Sequence, residues 1–199
     1  MTTFNKQLTR DELQSMTLAD YKTNLRPQLQ SGDLLFASGN YMFSQTIQQV
    51  TKSLWSHVGL IVCIHDRVLL LESNELMGVR LIPLSRYLHD FSDNKPYDGM
   101  VVLARRHDMS EAIARQAICA GMDELTQPYN HSEVAQIVYR VATNQERQHI
   151  ATPHAYICSE LVHYCLEQAE LPLVIDKRGF ISPQNLWEQP QVEFLGRVL

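Results

Sequence analysis

Long hydrophobic runs are absent from this sequence of 199 residues. The longest apolar stretch, residues 58–64, is far shorter than the roughly 20 residues that a transmembrane helix needs. The first seven residues also lack the apolar core of a signal peptide. The sequence therefore predicts neither a transmembrane segment nor a signal peptide, and we expect a cytoplasmic protein.

Positive charge is scarce as well. The formal net charge is -5, and the Lys and Arg residues form no cluster. Because binding to nucleic-acid phosphates needs clustered cations, the sequence predicts no nucleic-acid partner. Internal repeats, low-complexity tracts and linkers are also absent, so we expect one domain over residues 1–199. It divides into an N-terminal helical extension (1–30), a β-rich half (31–104) and a helical half (105–199).

Cysteine is rare, and the four cysteines are scattered without the spacing of disulfide or zinc-binding pairs. In a reducing cytoplasm such residues remain thiols. We therefore expect free thiols at Cys63, Cys119, Cys158 and Cys165. A free thiol can serve as a nucleophile.

The first half of the chain predicts a helix followed by a sheet. Thr9 and Glu12 have capping-box spacing, and apolar residues recur at helical intervals, so we expect a helix over residues 9–25. Runs rich in leucine or β-branched residues then predict an antiparallel sheet of four or five strands. The predicted strands are 34–37, 56–62, 68–73, 78–84 and 100–104, with 192–198 as a candidate closing strand.

The second half predicts helices. Ser110 is a good N-cap for an alanine-rich helix over residues 110–125. Further helices are expected over 132–142, from 155 or 156 to 170, and over 182–187. The order helix, sheet, helices indicates an α+β fold.

Cys158 is the cysteine best placed for chemistry. It lies in the first turn of a predicted helix, where unpaired backbone N–H groups and the helix dipole favour an anion such as a thiolate. Its helix face is apolar and should pack on the sheet, whereas Glu160, His163 and Glu167 should point away from the sheet. The alternative is that Cys158 is simply a small buried hydrophobic residue, as we expect for the other three cysteines.

His57 is the best candidate for a base beside this thiol, because it starts a rigid apolar strand. If residues 65 and 66 form a two-residue hairpin turn, His57 lies opposite Asn74. Glu72 is then a diagonal neighbour of His57 on the same face of the sheet. A carboxylate in an apolar strand is costly unless it is paired, and His57 would supply the partner. The alternatives are a solvated histidine at a strand end and a charge at a strand edge.

In their order along the chain, these residues resemble a known family. It is the circularly permuted papain-like hydrolases of the NlpC type, in the YiiX-like branch, also called permuted papain-like amidases. The order His, Glu, Cys is characteristic of the permuted branch, and the resemblance spans about residues 31–187. The matching motifs are Gly32-Asp33-Leu34-Leu35-Phe36, Ser56-His57-Val58-Gly59, Leu71-Glu72-Ser73, Gly78-Val79 with Pro83-Leu84, Tyr129 after Pro128, and Tyr156-Ile157-Cys158-Ser159-Glu160-Leu161-Val162.

The resemblance implies a papain-like fold, in which an antiparallel sheet or half-barrel packs against helices. It also implies a cysteine hydrolase that acts on a small amide, a peptide or a lipid, without a cofactor or a metal. Cys158 would attack a carbonyl and form an acyl-thioester, with His57 as base and Glu72 orienting its ring. The Cys158 N–H would hold the oxyanion together with a side chain, for which Tyr41 and Tyr156 are candidates. Tyr156 can equally be a core residue.

Three alternatives stay open at this stage. A metal site could combine His154, Cys158 and His163, although His154 should precede the helix and His163 should lie on its opposite face. A family member could keep the fold and bind a peptide or lipid, or serve a structural role, without turnover. A third possibility is acyl transfer to an alcohol or amine instead of hydrolysis.

Overall fold

A six-stranded antiparallel sheet organises the protein, in the order β4-β3-β2-β1-β5-β6. The structure is a computed structural model that describes residues 8–146, 154–171, 173, 175 and 178–199. Residues 1–7, on which the signal-peptide expectation rests, lie outside the described residues. The strands are β1 (Leu34–Gly39), β2 (His57–Ile64), β3 (Arg67–Asn74), β4 (Gly78–Pro83), β5 (Gly99–Arg106) and β6 (Val192–Arg197).

The sheet is larger than the sequence predicted. All five expected strands are present, and the candidate closing strand pairs with β5, so the sheet has six strands instead of four or five. Strand β6 follows the last helix in sequence and pairs with β5. The C-terminal half of the chain thus contributes one strand to the sheet. The mixed helix and antiparallel sheet architecture is the expected α+β class.

Seven α-helices accompany the sheet within the described residues. Helices α4 to α7 agree with the sequence prediction to within a few residues. Helices α2 and α3 were not predicted. The helices are α1 (Arg10–Ser15), α2 (Met42–Thr51), α3 (Ser85–His89), α4 (Glu111–Asp123), α5 (His131–Thr143), α6 (Cys158–Gln168) and α7 (Pro183–Trp187).

The predicted helix over residues 9–25 is wrong beyond its first turns. The capping box of Thr9 and Glu12 is present, but α1 ends at Ser15. The Ala19 N–H then donates to the carbonyl of Arg197 on β6 over 2.8 Å, and the intervening backbone is not helical. Asp20 caps a separate turn over Tyr21–Leu25. Pairing with the sheet thus replaces the local helical preference of this segment.

Both faces of the sheet are buried. Alternate residues of β1 show this division, because Leu34 and Phe36 belong to the core beneath α6, whereas Leu35 and Ala37 belong to the core beneath α3. The ring of Phe36 contacts those of Trp55 and Trp187, at centroid distances of 5.7 Å and 5.2 Å. A sheet covered on both faces gives the site a rigid support.

Helix α6 is buried on almost every side. The sequence predicted that Glu160, His163 and Glu167 point away from the sheet. Only Glu167 is exposed to solvent, whereas the exposed fractions of Glu160 and His163 are 6% and 7%. No helix among the described residues is both long and apolar enough to cross a membrane.

Candidate active site

Helix α6 presents Cys158 at its first position. The N–H groups of the first helical turn have no acceptor within the helix. The N–H of Ile157, the residue before the helix, donates to the Glu160 carboxylate over 3.0 Å. The Cys158 thiol lies 3.9 Å from the carbonyl oxygen of Ser56, the residue that precedes His57. Cys158 therefore meets the start of β2 although about a hundred residues separate the two in sequence.

The β2–β3 hairpin brings His57 and Glu72 together. The turn is the expected one at residues 65 and 66, and the strand pairs run from Ile64↔Arg67 to Leu60↔Leu71. In this register Glu72 is the predicted diagonal neighbour of His57. The His57 Nε2 atom lies 2.6 Å from Glu72 Oε2, and Glu72 has no exposed surface.

The His57 ring also lies next to the Cys158 thiol, which is one of the groups that raise the pKa of His57. Because Nε2 bonds Glu72, Nδ1 is the ring nitrogen left to face the thiol. The structure thus brings together the three residues that the sequence singled out, in the order thiol, imidazole, carboxylate.

Two residues that sequence reasoning missed complete the surroundings of Glu72. Arg80 on β4 places Nε at 2.8 Å and Nη2 at 2.6 Å from Glu72 Oε1. The Tyr87 hydroxyl on α3 donates to Oε2 over 2.6 Å. Arg80 was detectable in principle, because it is the direct cross-strand partner of Glu72. Tyr87 carried no comparable signal, since α3 was itself not predicted.

Electrostatics favour the charged forms of the pair. Burial alone would lower the pKa of His57, but Glu72 and the Cys158 sulfur outweigh it and raise the pKa to about 10. Burial alone would raise the pKa of Glu72, but His57, Arg80 and Tyr87 outweigh it and lower the pKa to about 2. An imidazolium beside a carboxylate is therefore the stable state near neutral pH.

Two adjoining cavities meet at these residues. An apolar cleft of about 50 Å³ is lined by Cys158 and by side chains of α2 and α5, including Ile47, Val50, Ile137 and Val138. A larger polar cavity of about 370 Å³ is lined by His57, Ser73, Asn74, Glu75 and Arg80. The two share Phe43, Ile47, Ser56 and Tyr129 in their walls. The sulfur and the imidazole thus lie at the junction of an apolar space and a polar one.

Neither of the two tyrosines named as oxyanion candidates lines the apolar cleft that contains Cys158. The hydroxyl of Tyr41 accepts the N–H of Asp98 over 3.1 Å, and its ring lines only the polar cavity. Tyr156 is buried, and its ring packs against that of Tyr164, with centroids 5.3 Å apart. Tyr129, by contrast, lines both cavities. Burial and the neighbouring Cys158 raise the pKa of Tyr129, so its hydroxyl stays protonated and able to donate.

The other cysteines differ from Cys158 in their surroundings. All four are free thiols. Burial raises the pKa of Cys165 to about 12 and that of Cys63 by a smaller amount, while Cys119 is exposed on α4. Within the described residues, no group of three or more His, Cys, Asp or Glu side chains is arranged to hold a metal ion.

Comparison with solved structures supports the fold. The chain is similar to a protein of Escherichia coli whose crystal structure is described as that of the metalloprotein YiiX. The TM-score is 0.55 at 20% sequence identity, and the match covers 85% of this chain and 98% of that one. Comparison with curated proteins found no match.

Comparison with protein families is decisive for classification. The model of the permuted papain-like amidase enzymes, YaeF/YiiX, matches residues 28–196. The match includes β1 to β5, all of β6 except its last residue, and the residues His57, Glu72 and Cys158. The chain belongs to the YaeF/YiiX family of permuted papain-like amidases.

Proposed function

We propose that this protein is a cysteine hydrolase that cleaves an amide or ester bond through an acyl-thioester. In this proposal Cys158 is the nucleophile, His57 is the general base and acid, and Glu72 orients the imidazole. The observation that carries the proposal is the position of His57, which bonds a buried carboxylate 2.6 Å away and follows the residue whose carbonyl oxygen lies 3.9 Å from the Cys158 sulfur. Such a chain of contacts is typical of nucleophilic catalysis.

The reaction proceeds in two halves. The Cys158 sulfur attacks the substrate carbonyl carbon while the proton of the thiol resides on His57. The bond to the leaving nitrogen or oxygen breaks, and the imidazolium transfers its proton to that atom. In the second half His57 removes a proton from water, and the hydroxide attacks the thioester. The carboxylic acid then leaves and the thiol is restored.

The oxyanion needs donors that point toward the reacting carbonyl. The backbone N–H of Cys158 supplies one, because the first helical position has no intrahelical acceptor. Tyr129 is our candidate for the second, since it lines both cavities and its hydroxyl stays protonated beside the sulfur. Tyr41 and Tyr156 stay predictions from the sequence, because neither lines the cleft that contains Cys158.

The two cavities suggest how a substrate would lie. The acyl portion remains on the sulfur, and Cys158 belongs to the apolar cleft between α2 and α5. The leaving group receives its proton from His57, which belongs to the polar cavity. Among the expected substrate classes of small amide, peptide and lipid, this arrangement favours an apolar acyl group joined to a polar amine or alcohol.

The experiment that tests the proposal is site-resolved alkylation with iodoacetamide near neutral pH, followed by mass spectrometry. Cys119 is exposed and provides an internal reference for an unactivated thiol. We expect Cys158 to react faster than Cys119 despite its burial, and His57→Ala to abolish that excess. Slow labelling of Cys158 that is insensitive to His57 would contradict the proposal and favour a non-catalytic binding protein.

A further inference from the structure

The carboxylate of Glu72 is held from three directions by three different elements. His57 on β2 and Tyr87 on α3 both donate to Oε2, each over 2.6 Å. Arg80 on β4 places two nitrogens within 2.8 Å of Oε1. A side chain with no exposed surface and both oxygens engaged has little freedom to rotate.

We propose that Arg80 and Tyr87 are positioning residues, which act on the reaction by fixing the Glu72 carboxylate that orients His57. This inference rests on the proposed function, because it assigns these residues a task in the same cysteine chemistry. Neither residue is asked to touch the substrate's reacting atoms. Their effect passes through Glu72 alone.

Geometry supports distinct tasks for the two residues. Arg80 engages Oε1, which leaves Oε2 directed at the His57 ring. Tyr87 adds a second bond to Oε2, and its ring lies beside the imidazole, 6.3 Å away between centroids and inclined by only 20°. Arg80 thus sets the direction of the carboxylate, and the Tyr87 hydroxyl limits the rotation of that carboxylate.

Charge gives a second argument. In the reactive state the thiolate, imidazolium, carboxylate and guanidinium alternate in sign from Cys158 through His57 and Glu72 to Arg80. A cation and a hydroxyl donor bound to Glu72 make it a weaker base. The proton consequently stays on His57, where the leaving group needs it, instead of passing to the carboxylate.

The chain contains a matched pair that is useful as a control. Arg105 binds Asp33 through Nε at 2.7 Å and through Nη2 at 2.8 Å. The side chains of Arg105 and Asp33 are 25% and 2% exposed, against 26% and 0% for Arg80 and Glu72. Neither Arg105 nor Asp33 lines the two cavities of the site. The control therefore has the same burial and chemistry without a connection to His57.

The test is a double-mutant cycle on the alkylation rate of Cys158, normalised to Cys119 in the same sample. We expect Arg80→Met to lower this rate about tenfold, and Tyr87→Phe to lower it severalfold without a change in packing volume. In a Glu72→Gln background neither substitution should lower the rate further, because the residue through which they act is gone. Arg105→Met should leave the rate unchanged, and Arg80→Lys should restore part of it.

A pH profile of the same rate provides a readout that loss of stability would not move. The titratable or charged groups that interact with Glu72 or His57 include Arg80, Tyr87, Tyr97 and Cys158, and those of Tyr41, Glu75 and Tyr129 line the same polar cavity as His57. Loss of Arg80 removes a cation beside Glu72, so the acid limb of the profile should move to higher pH in Arg80→Met. No such movement is expected in Arg105→Met.

The outcomes separate this inference from the proposed function. If Cys158 of the unmodified protein shows no excess reactivity that depends on His57, the proposed function fails. If that excess is present but Arg80→Met and Tyr87→Phe leave it intact, only the positioning role fails. Losses that simply add to that of Glu72→Gln would likewise overturn the positioning role, because the residues would then act elsewhere.

Discussion

Glu72 is a carboxylate without exposed surface in an otherwise apolar strand, and its cost of burial is offset by three donors. A charge buried at such cost is typical of a functional site, although structural ion pairs exist as well. Here the same carboxylate bonds the imidazole that faces the thiol. Burial, pairing and the contact with His57 are the observations on which we propose a role for Glu72 in the chemistry.

Substitution of Glu72 by Gln should change how stability depends on pH. The raised pKa of His57 contributes stability that is complete below 6.5 and is lost as the pH rises through about 10. The lowered pKa of Glu72 contributes stability that is complete above 4.5 and is lost as the pH falls through about 2. The ion pair of His57 and Glu72 therefore makes its full contribution to stability between pH 4.5 and pH 6.5.

We expect Glu72→Gln to reduce the free energy of unfolding by about 3 kcal/mol in that window, and to flatten its decline on both sides. Urea unfolding at a series of pH values measures this. An equal loss at every pH would mean that the ion pair contributes nothing specific.

Tyr129→Phe tests the second oxyanion donor at the same scale. Removal of one such donor typically costs about 10²–10³ in kcat, so we expect a decrease of about that size with little change in KM. The alkylation rate of Cys158 should stay within about twofold, because no oxyanion forms in that reaction. Unchanged kcat on an activated ester would assign Tyr129 to the wall of the cleft only.

The β2–β3 hairpin is the element that unites His57 with Glu72. Gly59 lies opposite Glu72 when the observed register is continued along the strand. A Cβ at Gly59 would lie 2.9 Å from the carbonyl oxygen of Leu71 and 3.3 Å from the Glu72 Cβ. Only glycine allows the two strands to approach this closely next to the site.

Gly59→Ala should therefore separate the strands locally. We expect a destabilisation of about 1–3 kcal/mol together with a loss of Cys158 reactivity, since the His57–Glu72 contact is short and sensitive to displacement. Gly196→Ala on β6 is the matched control, because its Cβ would meet only side-chain atoms of Leu25 and Ala19. Differential scanning calorimetry and alkylation rates measure the two effects. Retention of full reactivity in Gly59→Ala would argue against the role assigned to the hairpin.

Elements of this kind were predictable from the sequence to different degrees. The hairpin register followed from a two-residue turn and the period of a strand, so the approach of His57 to Glu72 could be derived. Helix α6 followed from its pattern as well, with Cys158 in its first turn, although the predicted start at residue 155 or 156 precedes the observed one at Cys158. The N-terminal helix failed because Ala19 pairs with β6, a partner nearly 180 residues away that local propensity does not include.

The parts of the site that sequence analysis missed belong to two helices that it did not predict, α2 and α3. Helix α2 carries polar residues around an apolar face and has no side-chain cap, so it resembled a loop, and with it the wall of the apolar cleft was missed. Helix α3 has only five residues, and Tyr87 was missed with it. Helix α3 is too short to show helical periodicity, whereas α2 is as amphipathic as α5 but lacks the N-cap residue that signals where a helix begins.

At the scale of the whole molecule, the site depends on contacts between distant parts of the chain. Helix α6 packs on β2 and β3, and the imidazole and the sulfur meet across about a hundred residues of sequence. Trp55 and Trp187 lie in the same core, with ring centroids 5.1 Å apart. These two are the only tryptophans of the chain, so their fluorescence reports the packing that also assembles the site.

We therefore expect the excess reactivity of Cys158 to disappear in the same urea transition as the native tryptophan fluorescence. Cys119 should keep an almost constant rate throughout, since it is exposed from the start. Alkylation pulses at increasing urea, each paired with a fluorescence reading, provide the comparison. Loss of Cys158 reactivity well before the fluorescence change would show that the site opens independently of the core.

The central claim, that Cys158 carries an acyl group during turnover, is tested most directly by trapping that intermediate. The protein is mixed with the p-nitrophenyl ester of a medium-chain fatty acid, quenched in acid within the first turnover, and mapped by mass spectrometry. We expect one acyl group on Cys158, none in Cys158→Ala, and much slower formation in His57→Ala. Acylation of another residue, or no adduct despite release of p-nitrophenol, would contradict the claim.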